Sequence, residues 1–79
     1  MSQVTITLNG RTTTVDREVA ERQIVKAEGA IAQLNERAAV RRADRRYSAA
    51  DQAMADANTA ADIAKFASLI AACRAALEG

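Results

Sequence analysis

The sequence predicts a small α+β domain, an N-terminal two-stranded β-hairpin followed by two or three alanine-rich α-helices in ββααα order. Three observations carry that expectation. Val4 to Val15 alternate around Asn9-Gly10, apolar residues recur at steps of four and three from Ala20 to Ala38, and alanine dominates from Ala49 onward. Seventy-nine residues make one domain, 1–79. A chain this short buries only about 60% of its unfolded surface, so a thin core is expected. With one Phe, one Tyr and no Trp, that core is aliphatic and alanine-lined, and a homo-oligomer is a natural remedy for its small area.

Residues 3–15 read as the hairpin. Asn-Gly suits a type I′ turn, whose two central positions need positive φ. Centring the turn there pairs Leu8 with Arg11, Thr7 with Thr12, Ile6 with Thr13, Thr5 with Thr14 and Val4 with Val15. Alternation then puts Val4, Ile6, Leu8 and Val15 on one face and Thr5, Thr7, Thr12 and Thr14 on the other. Both edges of such a ribbon are unpaired, open to water, to a second subunit or to a foreign strand.

Residues 16–46 read as a central amphipathic helix with an arginine-rich end. Asp16 is the N-cap candidate, its carboxylate placed to accept from the first-turn N–H groups. Glu18 and Glu21 suit the positive end of the dipole, and Glu18 is spaced to pair with Arg22. The seam runs Ala20, Ile24, Ala27, Ile31, Leu34 and Ala38, a heptad spacing. Ile24, Ala27, Ile31 and Leu34 are its candidate contact residues, packing either within the chain or between chains. Continuing the heptad brings Arg41 and Arg45, so the dry seam ends near Ala38. Gly29 weakens the helix by about 1 kcal/mol relative to alanine and leaves room for another backbone. Whether the helix reaches Arg46 or breaks near Ala43-Asp44 is open.

Residues 48–78 read as a helical segment broken near 58–59. Ser48 with Asp51, and Thr59 with Asp62, each have capping-box spacing. The apolar stripe is Ala50, Met54, Ala57 and Ala61 before the break and Ile63, Phe66, Ile70, Cys73 and Leu77 after it, two registers that no single straight face holds. Gly79 sits where a C-terminal cap belongs.

The chain has no histidine, the commonest general base and metal ligand. Cys73 falls on an apolar stripe and reads as core. Asp51, Asp56 and Asp62 lack metal-loop spacing and read as a solvated face. The three glycines form no phosphate loop. No catalytic residue, metal, cofactor or small-molecule substrate is expected, and the chain reads as a non-enzyme. A lone cysteine excludes an internal disulfide and fits a reducing compartment. The N-terminus runs into alternating Val and Thr without a signal peptide, and no apolar run reaches the roughly 20 residues that span a bilayer. A cytoplasmic location away from membranes is expected.

The sharpest feature is the arginine cluster. The net charge is +1, but residues 37–46 carry five arginines against Asp44, a local +4 that leaves −3 elsewhere. On a helix Arg37, Arg41 and Arg45 share a face, with Arg42 and Arg46 beside them and Tyr47 available to stack or pack. Such a patch attracts an acidic protein surface or a phosphate backbone. It equally serves the helix's own dipole, or ion pairs with Asp44, Asp51 and Asp56. The leading expectation is a protein-binding or assembly adaptor, oligomeric, acting through the helical seam and the basic patch. A small inhibitor of a larger machine is a special case of it, and a nucleic-acid-associated protein using Arg37–Arg46 is the alternative.

The stretch V-T-I-T-L-N-G-R, Val4 to Arg11, resembles the first hairpin of small division-ring accessory proteins of the ZapA type, which follow it with helices that dimerise. The likeness covers eight of the 79 residues, about a tenth of the chain, and the later apolar helix of that family is not recognisable here. The order of hairpin, polar lead-in and short amphipathic helix also resembles small head–tail joining proteins of tailed phages. Neither likeness is adopted as an assignment, and no functional residue is carried over from either.

Overall fold

The structure is a computed structural model describing residues 2–79. Its elements are strand β1 (Gln3–Leu8), strand β2 (Arg11–Asp16), helix α1 (Arg17–Ala43) and helix α2 (Ala49–Glu78). The fold is α+β with two helices, not three, in ββαα order.

β1 and β2 pair antiparallel in the expected register, Leu8 with Arg11 through Val4 with Val15, and the ladder extends to Gln3 with Asp16. Asn9 (φ 53°) and Gly10 (φ 78°) both occupy the left-handed region the turn demands. Ile6 is buried, Val4, Leu8 and Val15 are half-buried, and the four threonines of the opposite face are exposed. Thr13, opposite Ile6, shares the inward side yet stays exposed, because β1 rather than β2 carries the packing onto α2.

α1 begins without the expected cap. The Asp16 side chain makes no capping hydrogen bond, since Asp16 is still the last ladder residue of β2; the Arg17 N–H donates to the Ser2 carbonyl instead (2.9 Å). The ion pair on the first turns is Arg17–Glu21 (3.5 Å), not Glu18–Arg22. The helix stops at Ala43. Asp44 is extended (ψ 111°), and its N–H donates to the Arg41 carbonyl (3.0 Å).

α2 is one unbroken helix of 30 residues. Ser48 caps it, its Oγ accepting from the Asp51 N–H (3.1 Å), whereas Thr59 and Asp62 lie mid-helix and start nothing. The expected break near 58–59 is absent because the alanine stripe that implied it faces outward. Ala50, Met54, Ala57 and Ala61 are all exposed. Toward α1 the first half of α2 turns Gln52, Asp56 and Thr59, and the second half Ile63, Phe66, Ile70, Cys73 and Leu77. Together these form a single heptad register.

The two helices lie antiparallel across the bend at 44–48, and the hairpin covers only one end of the pair. Ile6, Ala20 and Cys73 form the core there, with Val4, Val15, Ile24, Leu69, Ala72, Ala76 and Leu77 packed around them. Along α1 the buried residues are Ala20, Ala27 and Ala38, so the helices meet through alanine at close range. The α1 seam is thus used within the chain. Gly29 is exposed on α1's outer side, and a Cβ there meets nothing within 4 Å. Gly29→Ala is therefore expected to stabilise the chain by about 1 kcal/mol, a rise of about 4–8 °C in Tm by circular dichroism.

Candidate functional site

The basic end is built by the last turns of α1, the bend and the first turns of α2. The heptad that carries Ala38 into the seam carries Arg41 in after it, with only 16% of its side chain exposed. Arg41 Nη2 meets Asp56 Oδ1 at 2.7 Å, and Arg42 Nε approaches the same oxygen at 3.6 Å. Gln52 Nε2 donates to the Arg41 carbonyl at 2.7 Å, so the first turns of α2 satisfy the end of α1. Arg41 Nε and Gln52 Oε1 are buried there without a partner. Asp56 is accordingly half-buried and paired, while Asp51 and Asp62 are exposed as a solvated face requires.

The bend is held by Asp44. Its carboxylate accepts from the Arg46 backbone N–H (3.0 Å) and from the Arg46 guanidinium (Nε 3.0 Å, Nη2 2.7 Å). The guanidinium first, and the backbone N–H second, hold the Asp44 carboxyl below the usual carboxylate range. Asp44 in turn raises the Arg46 pKa.

The five arginines therefore do not form one uniform patch. Arg41 points inward and Arg46 is tied to Asp44. Arg42 is exposed but lies near Asp56. Among the described residues Arg37 and Arg45 have no carboxylate within ion-pair distance, and both are exposed. Arg37 lines a shallow concavity with Gln33, Glu36, Val40, Arg41, Asp44 and Tyr47. Val40 is 69% exposed and Tyr47 47%, so the charge surrounds an apolar spot.

The other candidate contact residues are spread along the seam. Ala27 is buried and Ile24 packs beside the core; Ile31 and Leu34 are half-buried. Charge counting alone put Arg41 in the patch, while the heptad, read through, had already put it on the seam. Of the acids offered as ion-pair partners, Asp56 and Asp44 pair with Arg41 and Arg46 and Asp51 does not, while the role of Gln52 has no signal in the sequence beyond its place in the heptad.

Among the described residues no group of three or more His, Cys, Asp or Glu side chains is placed to hold a metal. Among the same residues no helix is long and apolar enough to cross a membrane. Compared with models of protein families, with curated proteins and with solved structures, the chain matches none of them.

Proposed function

We propose that this chain is a non-catalytic protein-binding module, an assembly adaptor or small inhibitor, that engages an acidic protein surface through its arginine end. The observation that carries the reading is the pairing of exposed Arg37 and Arg45 with exposed Val40 and Tyr47. Val40 and Tyr47 share a concavity with Arg37, and Arg45 lies on the adjoining bend; an exposed apolar and aromatic spot with arginine beside it is the composition of protein–protein hot spots. A phosphate backbone calls for more free cations. Two of the five arginines are held tightly by Asp44 and Asp56, and a third lies near Asp56, which leaves too few to give strong duplex binding. A cytoplasmic, reducing setting accords with the single buried thiol.

The test is fluorescence anisotropy with a labelled Asp/Glu-rich peptide bearing leucine and phenylalanine anchors, beside a labelled duplex DNA and a single-stranded RNA, all at low salt. The peptide is expected to bind and to lose at least tenfold in affinity with Arg37→Glu/Arg45→Glu. Tight DNA or RNA binding, with a salt slope that shrinks by about one for each arginine removed, would overturn the reading in favour of nucleic acid.

A further inference from the structure

The face of the helix pair turned away from the hairpin is apolar and uncovered. Between the helices it forms a groove lined by Ile31, Ala32, Ala67, Ile70 and Ala71, with Arg74 and Glu28 (3.8 Å) at its rim. On α2 the face continues as Ala53, Ala57, Ala60, Ala64, Ala67 and Ala71. These residues are all exposed, follow the 4–3 step of a heptad, and have no charged residue among them. α2 thus carries two seams, one closed on α1 and one open.

The area exposed is what identifies the occupant. The chain exposes 5828 Å², against about 4,600 Å² for a folded monomer of its mass. The excess of about 1,200 Å² is more than the roughly 800 Å² per partner that a standard stable interface buries. The same shortfall shows in shape. The Cα radius of gyration is 16.0 Å where about 11.5 Å is usual for this length, and the shortest extent is 14 Å. The helix pair is a layer one helix deep, and over most of its length it lacks a second layer.

We infer that a second copy of this chain supplies that layer, its α2 packed antiparallel on the open alanine seam. The seam is self-complementary in that direction. Alanine meets alanine in every layer when Ala60 faces Ala64 of the second copy, Ala57 faces Ala67, and Ala53 faces Ala71. Charge selects the same direction. A parallel pair would set one +4 arginine end beside the other. An antiparallel pair brings each arginine bend to the C-terminal end of the other α2, the negative end of its dipole and the place of Glu78. The seam joins helices through alanine, and Ile31 at the border of the groove adds larger aliphatic area to the buried surface.

Light-scattering chromatography of the full chain reads the result directly. The expected mass is twice 8.4 kDa, falling to 8.4 kDa for Ala60→Glu/Ala64→Glu with far-UV helicity retained. Asn58→Glu, on another exposed face of α2, is expected to leave the dimer intact, and the Ala60→Glu/Ala64→Glu monomer is expected still to bind the acidic peptide. Failure of acidic-peptide binding and failure of dimerisation are thereby separable. If the double glutamate variant loses helicity, Ala64→Gln is read instead, with dimer dissociation strengthened at least tenfold. A wild-type monomer at about 100 µM, or a dimer indifferent to Ala60→Glu/Ala64→Glu and Ala64→Gln, would sink the inference.

Discussion

Replacing Ile70 with alanine is expected to cost about 2–4 kcal/mol of stability. Ile70 is 9% exposed and sits on the closed seam of α2, one of only six buried hydrophobic residues among those described. Three of those six are alanines, so few side chains hold much apolar area and the loss of one is not shared out. A domain of 79 residues has a total stability of about 4–12 kcal/mol, and this single truncation takes a large fraction of it. In urea, with a slope of about 1 kcal/mol per molar for a chain this small, the midpoint should fall by about 2–4 M. The comparison is made at fixed protein concentration, since self-association contributes to the apparent stability. A shift below about 0.5 M would mean that Ile70 is not packed as described.

Ala20→Leu is expected to destabilise by about 1–3 kcal/mol through overpacking, the opposite fault. Ala20 is fully buried beside Ile6 and Cys73, where α1, α2 and β1 converge. A larger side chain there must push either the hairpin or α2 away. Cys73 reports which. In the native chain its thiol is fully buried, and that burial pushes its pKa up, so little thiolate is available and reaction with a thiol reagent is slow. Opening the junction by 1–3 kcal/mol raises the modification rate about 5- to 150-fold, measured by absorbance at reagent concentrations low enough that opening and closing are fast relative to modification. An unchanged rate alongside lowered stability would place the strain elsewhere.

The hairpin was fully legible in the sequence because one dipeptide determines its register. Once Asn9-Gly10 takes two positive φ values, every cross-strand pair follows by counting. The heptad of α1 was legible for a related reason, since isoleucine and leucine stand out against its charged residues. α2 was not. Alanine stands on nearly every side of it, so an apolar stripe there says little about which side is buried. Burying an alanine gains far less than burying a leucine, and the choice of face fell to Ile63, Phe66, Ile70 and Leu77 in the second half. The first half then follows in register, and Gln52, Asp56 and Thr59 arrive at the seam regardless of their polarity. Arg41 meets them there, and the Arg41–Asp56 pair makes the polar end of the seam tolerable. The candidate site was half legible on the same grounds. Arg37 is exposed on α1 as expected, Arg45 is exposed on the bend rather than on a helical stripe, and Arg41 obeys the heptad.

The packing of β1 on the last turns of α2 also sets an order of events during synthesis. Asn9-Gly10 closes a ribbon from residues a few positions apart, and each helix propagates locally, both within microseconds. Ile6, however, finds its partner in Cys73, 67 positions later, after the bend has closed and α2 has formed to its final turns. The hairpin, synthesised before either helix, is thus among the last parts to be covered. Until then Val4, Ile6 and Leu8 present an apolar ribbon with bare edges, and at a few residues per second that interval lasts seconds rather than microseconds.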